Sequence, residues 1–150
     1  MSRNEIRISA TPSQVFDVLD DPEAYPRWVV GARRIRRVDP DWPAVGSCFH
    51  HAIGTAAAEL HDSSKILERQ HPDRLILEVR FRPTGVAHVT MTVQPDVNGS
   101  KFLIEEHPQS GPFAVAPRVL TEPLLWARNA ISVQRLRHEI ERRSAMRKRS

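Results

Sequence analysis

The 150 residues predict an α+β fold: one curved, seven-stranded antiparallel sheet wrapped around a long C-terminal helix, with two short helices after the first strand. Three observations point to it. Residues 32–107 fall into six strand-like segments separated by Gly and Pro, with connections too short for parallel crossovers. Residues 119–143 can hold one long helix. A short alternating segment followed by helix-start signals precedes both.

The elements follow in order. Residues 3–9 alternate around Ile6 and Ile8 and form a short strand. Thr11-Pro12 places a capping hydroxyl before a proline at the first helical position. Val15, Phe16 and Leu19 share one face of a helix over about 12–20. "DPEAYPRWV" (21–29) is expected to be a second short helix, interrupted by Pro26. Strands are expected near 32–38, 47–54, 57–69, 73–82, 86–95 and 100–107. The run "RRIRR" (33–37) suits an edge strand, where charge discourages sheet-to-sheet aggregation. "HPQSGPFAVAP" (107–117) is expected to be a loop, and Leu124, Ala127, Ile131, Val133, Leu136 and Ile140 to supply the apolar contacts of the last helix. A strongly curved sheet cannot follow a straight helix along its whole length. A cavity between the two is therefore expected, of a kind that takes apolar ligands.

Composition narrows the class. Hydrophobic residues are 40% and charged residues 27%, as in a globular domain, here expected over 1–144 with a basic tail at 145–150. No apolar run approaches the roughly 18–20 residues of a membrane span. The N-terminus lacks a signal-peptide core, and one cysteine excludes an internal disulfide framework; both suit a cytoplasmic protein. The net charge of +4 owes much to "ERRSAMRKRS" (141–150), a solvated helix end on this reading. The basic runs have no interleaved aromatics, so nucleic acid is not an expected partner. A monomer or homodimer is expected.

Several stretches resemble a known family. "ATPSQVFDVLDDPEAYPRWV" (10–29) resembles the opening of the START-like, Bet v 1-like (SRPBCC) superfamily, in its polyketide cyclase/dehydrase and lipid-transport branch. "GARRIRRVDPDWPAVGSCFHHAIG" (31–54) is similar to uncharacterised bacterial members. "EEHPQSGP" (105–112) and "RNAISVQRLRHEIE" (128–141) resemble the branch's loop and last helix. The resemblance implies a helix-grip fold with a hydrophobic cavity. It implies no single activity, because the superfamily includes carriers, ligand sensors, cyclases, hydrolases and chaperone cofactors. "IGTAAAELHDSSK" (53–65) holds no activity motif of the family.

Strand arithmetic assigns side chains to faces, since opposed residues of an antiparallel pair share a face. A turn at Pro83-Thr84-Gly85 pairs Phe81 with Ala87, Val79 with Val89, Leu77 with Met91 and Leu75 with Val93, all inward, with His88 opposite Arg80 outside. A hairpin at Asn98-Gly99 sets Val93 opposite Ile104 and Met91 opposite Glu106. Phe102, Ile104 and Glu106 then point inward. A turn at Pro72-Asp73 sets Leu77 opposite Glu68, Val79 opposite Ile66 and Phe81 opposite Ser64, with Asp62 and Leu60 continuing that face unless a bulge reverses it. In "CFHH" (48–51), Phe49 and His51 face in while Cys48 and His50 face out, so the two histidines do not readily chelate one metal.

The candidate ligand-binding set is therefore Phe49, His51, Leu60, Ser64, Leu77, Val79, Val89, Met91, Ile104, Glu106 and Arg128. His51 and Glu106 are candidate acid–base groups for an enolisable ketone, with Asp62 nearby. Otherwise they satisfy each other, Arg128 or a backbone group, or anchor a polar part of a ligand. Arg128, beside Asn129, suits either a ligand carboxylate or a protein carboxylate. Trp28, Trp42 and Trp126 are candidates for the cavity mouth. No nucleophile triad, glycine-rich phosphate loop or metal-ligand spacing is present, so no cofactor and no metal are expected. Three functions remain open: a carrier or sensor for a lipid-like or polyketide-like molecule; a cyclase, aromatase or dehydratase; and a protein-interaction module.

Overall fold

The computed structural model describes residues 2–81 and 85–149, without the side chains of Phe81 and Phe113. Strand β1 (Ser2–Ile8) leads to helix α1 (Pro12–Leu19), a 3₁₀ turn (Pro22–Ala24) and the single-turn helix α2 (Tyr25–Trp28). Six strands follow: β2 (Ala32–Val38), β3 (Cys48–Gly54), β4 (Glu59–Gln70), β5 (Arg74–Phe81), β6 (Gly85–Asp96) and β7 (Gly99–Ser110). The chain ends in helices α3 (Pro112–Val115) and α4 (Arg118–Arg149). The sheet is antiparallel in the order β1-β7-β6-β5-β4-β3-β2, so the seven-stranded expectation holds and the arginine-rich β2 is an edge.

Local chemistry explains the starts. The Thr11 hydroxyl accepts from Gln14 N–H while the Gln14 side chain accepts from Thr11 N–H, a complete capping box. Pro26 lies in the first turn of α2, where its missing N–H costs nothing, so it opens that helix and does not interrupt it. The expected loop at 107–117 is shorter: β7 continues to Ser110, with Pro108 opposite Ala87 beside a register shift.

Register differs from the arithmetic by two residues, a shift that by itself keeps each side chain on its face. Val79 lies opposite Ala87, Leu77 opposite Val89 and Leu75 opposite Met91, while Met91 lies opposite Ile104 and Val89 opposite Glu106. Glu78, not Arg80, faces His88. The cause is the glycines. Gly99 opens β7 opposite Asp96, leaving Val97 and Asn98 as the loop. Its φ is +149°, and a Cβ there would meet the Ile8 carbonyl oxygen at 2.2 Å. It is needed for the close approach of β1, not for the turn. Gly85 likewise opens β6, where a Cβ would meet the Ser110 carbonyl oxygen at 1.9 Å. Pro83 and Thr84, assigned to that turn, lie outside the described residues. Ser64 faces Val79 and Ile66 faces Leu77; a bulge between Ile66 and Glu68 then sets Glu68 opposite Ile76, away from the inner face.

The core lies between the inner sheet face and α1, α2 and α4. Trp28, Phe16, Phe102, Leu19, Ile66, Leu136 and Ile140 are fully buried there, each contributing on the order of 1.5–3 kcal/mol. Helix α4 corrects the expectation. Its buried positions include Leu125, Asn129, Ser132, Leu136 and Ile140, spaced by three or four residues. Leu124 and Ile131 are exposed at 65% and 50%, and Ala127 is exposed too. The inner face of this helix is partly polar, so of the six expected apolar contacts Val133, Leu136 and Ile140 are buried while Leu124, Ala127 and Ile131 are not. The helix runs on through the basic residues to Arg149. Among the described residues no helix is long and apolar enough to cross a membrane.

Candidate functional site

Sheet curvature and α4 leave a cavity with about 650 Å³ of empty space, its open mouth included. Strands β5, β6 and β7 supply its floor through Leu77, Val79, Val89, Met91 and Ile104. Strands β2 and β3 add Ile35, Phe49 and Ile53. Helix α2 and its exit close the other side with Tyr25, Trp28 and Val29.

Two polar groups stand on separate walls. On β3 and β4, His51 Nε2 is 3.2 Å from Ser64 Oγ, and both residues are buried. Burial holds the His51 imidazole below its ordinary value, against opposing effects of Asp62 and a hydrogen bond at the Ser63 backbone. The ring is therefore neutral at neutral pH. On β7 and α4, Glu106 is 2% exposed. Its Oε2 accepts from Arg128 Nη2 at 2.7 Å and from Asn129 Nδ2 at 2.9 Å. Ser64 and Glu106 are three strands apart in the sheet, and each polar group has partners of its own. His51 and Glu106 do not form a dyad.

Ten of the sequence-derived positions thus surround one space: Phe49, His51, Ser64, Leu77, Val79, Val89, Met91, Ile104, Glu106 and Arg128. Leu60 stands apart, 44% exposed near the start of β4 although its register partner Ile53 lines the cavity. Asp62 is buried opposite His51 but is not on the wall. Of the tryptophans, Trp28 lines the cavity, Trp42 packs edge-on against Phe49, and Trp126 is 55% exposed outside it. Asn129 and Ser132, missed from sequence, share the inner face of α4 with Leu125 and Leu136. Their spacing from Leu125 and Leu136, by steps of three and four, was the available signal.

The α2 wall is clamped to α4. Arg27 Nη1 donates to Glu139 Oε1 at 3.0 Å, Arg143 Nη2 to Asp21 Oδ2 at 2.9 Å, and Val30 N–H to Ser132 Oγ at 3.1 Å. Burial pushes the Glu139 carboxyl up, but hydrogen bonds from Arg142, Arg143 and Arg27 outweigh it and hold it at about 2. On the outer face, His50 Nε2 is 3.1 Å from Asp39 Oδ1, so the two adjacent histidines serve opposite sides of the sheet. No group of three or more His, Cys, Asp or Glu suited to a metal ion occurs among the described residues.

Comparison with known proteins bears on this geometry. The family model described as "Polyketide cyclase / dehydrase and lipid transport" matches residues 2–141. An uncharacterised protein of Mycobacterium tuberculosis (strain ATCC 25618 / H37Rv) is 38% identical over 39 residues, which is 26% of this chain and 23% of that protein. The chain therefore matches less than a quarter of the length of its curated relatives. The crystal structure of protein CV1439 from Chromobacterium violaceum superposes with a TM-score of 0.73 at 20% identity, over 93% of this chain and 96% of that one. The di-domain aromatase/cyclase StfQ from the steffimycin biosynthetic pathway superposes with a TM-score of 0.72 at 12% identity, over 95% of this chain and 51% of that one. At these identities the two structures show a shared fold.

Proposed function

Since the chain belongs to the polyketide cyclase/dehydrase and lipid transport family, we propose that it binds a small hydrophobic molecule, lipid-like or polyketide-like, between the sheet and α4, as a carrier or sensor. The observation that carries this reading is the cavity wall: apolar side chains from five strands converge on one space, and its charged groups already have protein partners. A hydrophobic ligand there gains burial without stripping water from an unpaired charge. The carrier works in the cytoplasm, as a monomer or homodimer.

A second reading is supported by His51 and by the likeness in fold to StfQ. A buried neutral imidazole on the cavity wall can accept a proton from the carbon beside a ligand carbonyl, the first step of a cyclisation or dehydration. The weakness of this reading is the acid: Glu106 lies on another wall, committed to Arg128 and Asn129.

The test of binding is Met91→Trp. Met91 is 1% exposed and lines the cavity floor, so the larger ring fills the space. The neutral dye N-phenyl-1-naphthylamine should brighten with the wild-type chain and not with the variant, while circular dichroism stays unchanged. Equal brightening in both would put the dye elsewhere and defeat the reading.

A further inference from the structure

We infer that the cavity selects uncharged ligands, and that the indole N–H of Trp28 is the donor that recognises an acceptor oxygen on them. This deepens the binding reading above and rests on it.

Trp28 lines the cavity and is 2% exposed, yet its Nε1–H has no acceptor among the described residues. Its neighbours are satisfied. The Tyr25 hydroxyl donates to the Leu19 carbonyl at 2.8 Å, Ser132 Oγ accepts from Val30 N–H, and His51 meets Ser64. Trp42, the other tryptophan packed near this wall, donates its Nε1–H to the Asp20 carbonyl at 2.7 Å. A buried polar donor without an acceptor is uncommon because its lost hydration is not replaced. An indole N–H only donates, so what completes it must be an acceptor: a ketone, ester, ether or hydroxyl oxygen.

Charge supplies the second half. Glu106 and Arg128 carry the full charges on the cavity wall, and they neutralise each other at 2.7 Å. A carboxylate entering this space would lose its water and meet Glu106 along with Arg128. An apolar skeleton with an uncharged oxygen loses little water, and its oxygen completes the Trp28 donor once a shift of the surrounding side chains opens that closed-off N–H to the cavity.

Three probes of one skeleton separate the terms: 2-acetonaphthone, 2-ethylnaphthalene and 2-naphthoate, added at pH 7.5 to the full chain labelled with ¹⁵N at its three tryptophan indoles. The ketone should move the Trp28 indole proton downfield and bind about 2- to 12-fold tighter than the hydrocarbon, the range of one neutral hydrogen bond. The carboxylate should bind more weakly than both. Trp28→Phe should erase the ketone's margin and leave hydrocarbon affinity nearly unchanged. Naphthoate binding as tightly as the ketone, or an undiminished ketone margin in Trp28→Phe, would overturn the inference. Should that variant fail to fold, the wild-type indole shift decides the same point: a ketone that binds without moving it overturns the assignment. If none of the three binds, the cavity reading itself falls.

Discussion

Replacing Glu106 with Gln removes one charge from the Glu106–Arg128 pair and keeps the shape. The loss can be worked from the contacts. Glu106 Oε2 accepts two hydrogen bonds, one from a guanidinium, and the carboxylate is 2% exposed. Hydrogen bonds to charged groups contribute roughly 1.5–3 kcal/mol, and breaking a buried pair costs about 3–5 kcal/mol. The Arg128 side chain is 27% exposed, so water recovers part of that. Glu106→Gln should therefore cost about 2–3 kcal/mol, a fall in Tm of about 4–12 °C for a domain of this size. Arg128→Met should cost more, because it leaves the more deeply buried Glu106 carboxylate with Asn129. The double variant should be less destabilised than the sum of the singles, by about 2 kcal/mol or more. Urea denaturation of the four proteins measures this. Additive losses would show that the pair is not coupled, and would remove the reason for treating the cavity wall as electrically balanced.

Two further outcomes follow from the electrostatics and one from the strand phase. The Glu139 carboxyl is held at about 2, below its ordinary 4.5, so its stabilisation is present above about 4.5 and fades as pH falls toward 2. It is worth roughly 3 kcal/mol. Glu139→Gln should lose it and flatten that stretch of the stability–pH curve, as followed by thermal denaturation. Burial depresses the His51 imidazole below 6.5, so the unfolded chain binds more protons there and stability falls as pH drops below about 6.5. His51→Phe should flatten this window, and an unchanged slope would contradict the assignment. For binding of 2-acetonaphthone, His51→Phe changes the cavity wall itself and should alter affinity, whereas His50→Ala should leave it unchanged, since His50 lies on the outer face against Asp39. A loss of affinity in His50→Ala, measured by titration, would refute the assigned alternation.

Much of the fold was legible because a period of two survives errors in register. Turns placed one residue late, at Gly85 and Gly99, shifted every partner by two and still sent Leu77, Val79, Val89, Met91 and Ile104 inward. What could not be read was why those glycines are there. Their backbones approach Ser110 and Ile8, and such contacts join segments distant in sequence. Helix α4 was harder. Asn129, Ser132 and Glu139 are buried because Glu106, Val30 and Arg27 reach them from other elements, so hydrophobicity alone found Val133, Leu136 and Ile140 but also took in the exposed Leu124, Ala127 and Ile131. Leu60 fell outside the site for a related reason. Alternation assigns a face, but it does not say where along a strand the cover of the cavity ends. Tyr25 and Val29 were missed because a single helical turn has too little periodicity to show which side it presents.

The central claim is that the space enclosed by the sheet, α2 and α4 holds an uncharged hydrophobic molecule. Native mass spectrometry of the purified full chain, before and after incubation with 2-acetonaphthone, tests it most directly. The account predicts a single noncovalent adduct on the wild-type chain and its loss in Met91→Trp. A wild-type chain that stays bare under both conditions, or an adduct that Met91→Trp retains, would contradict it.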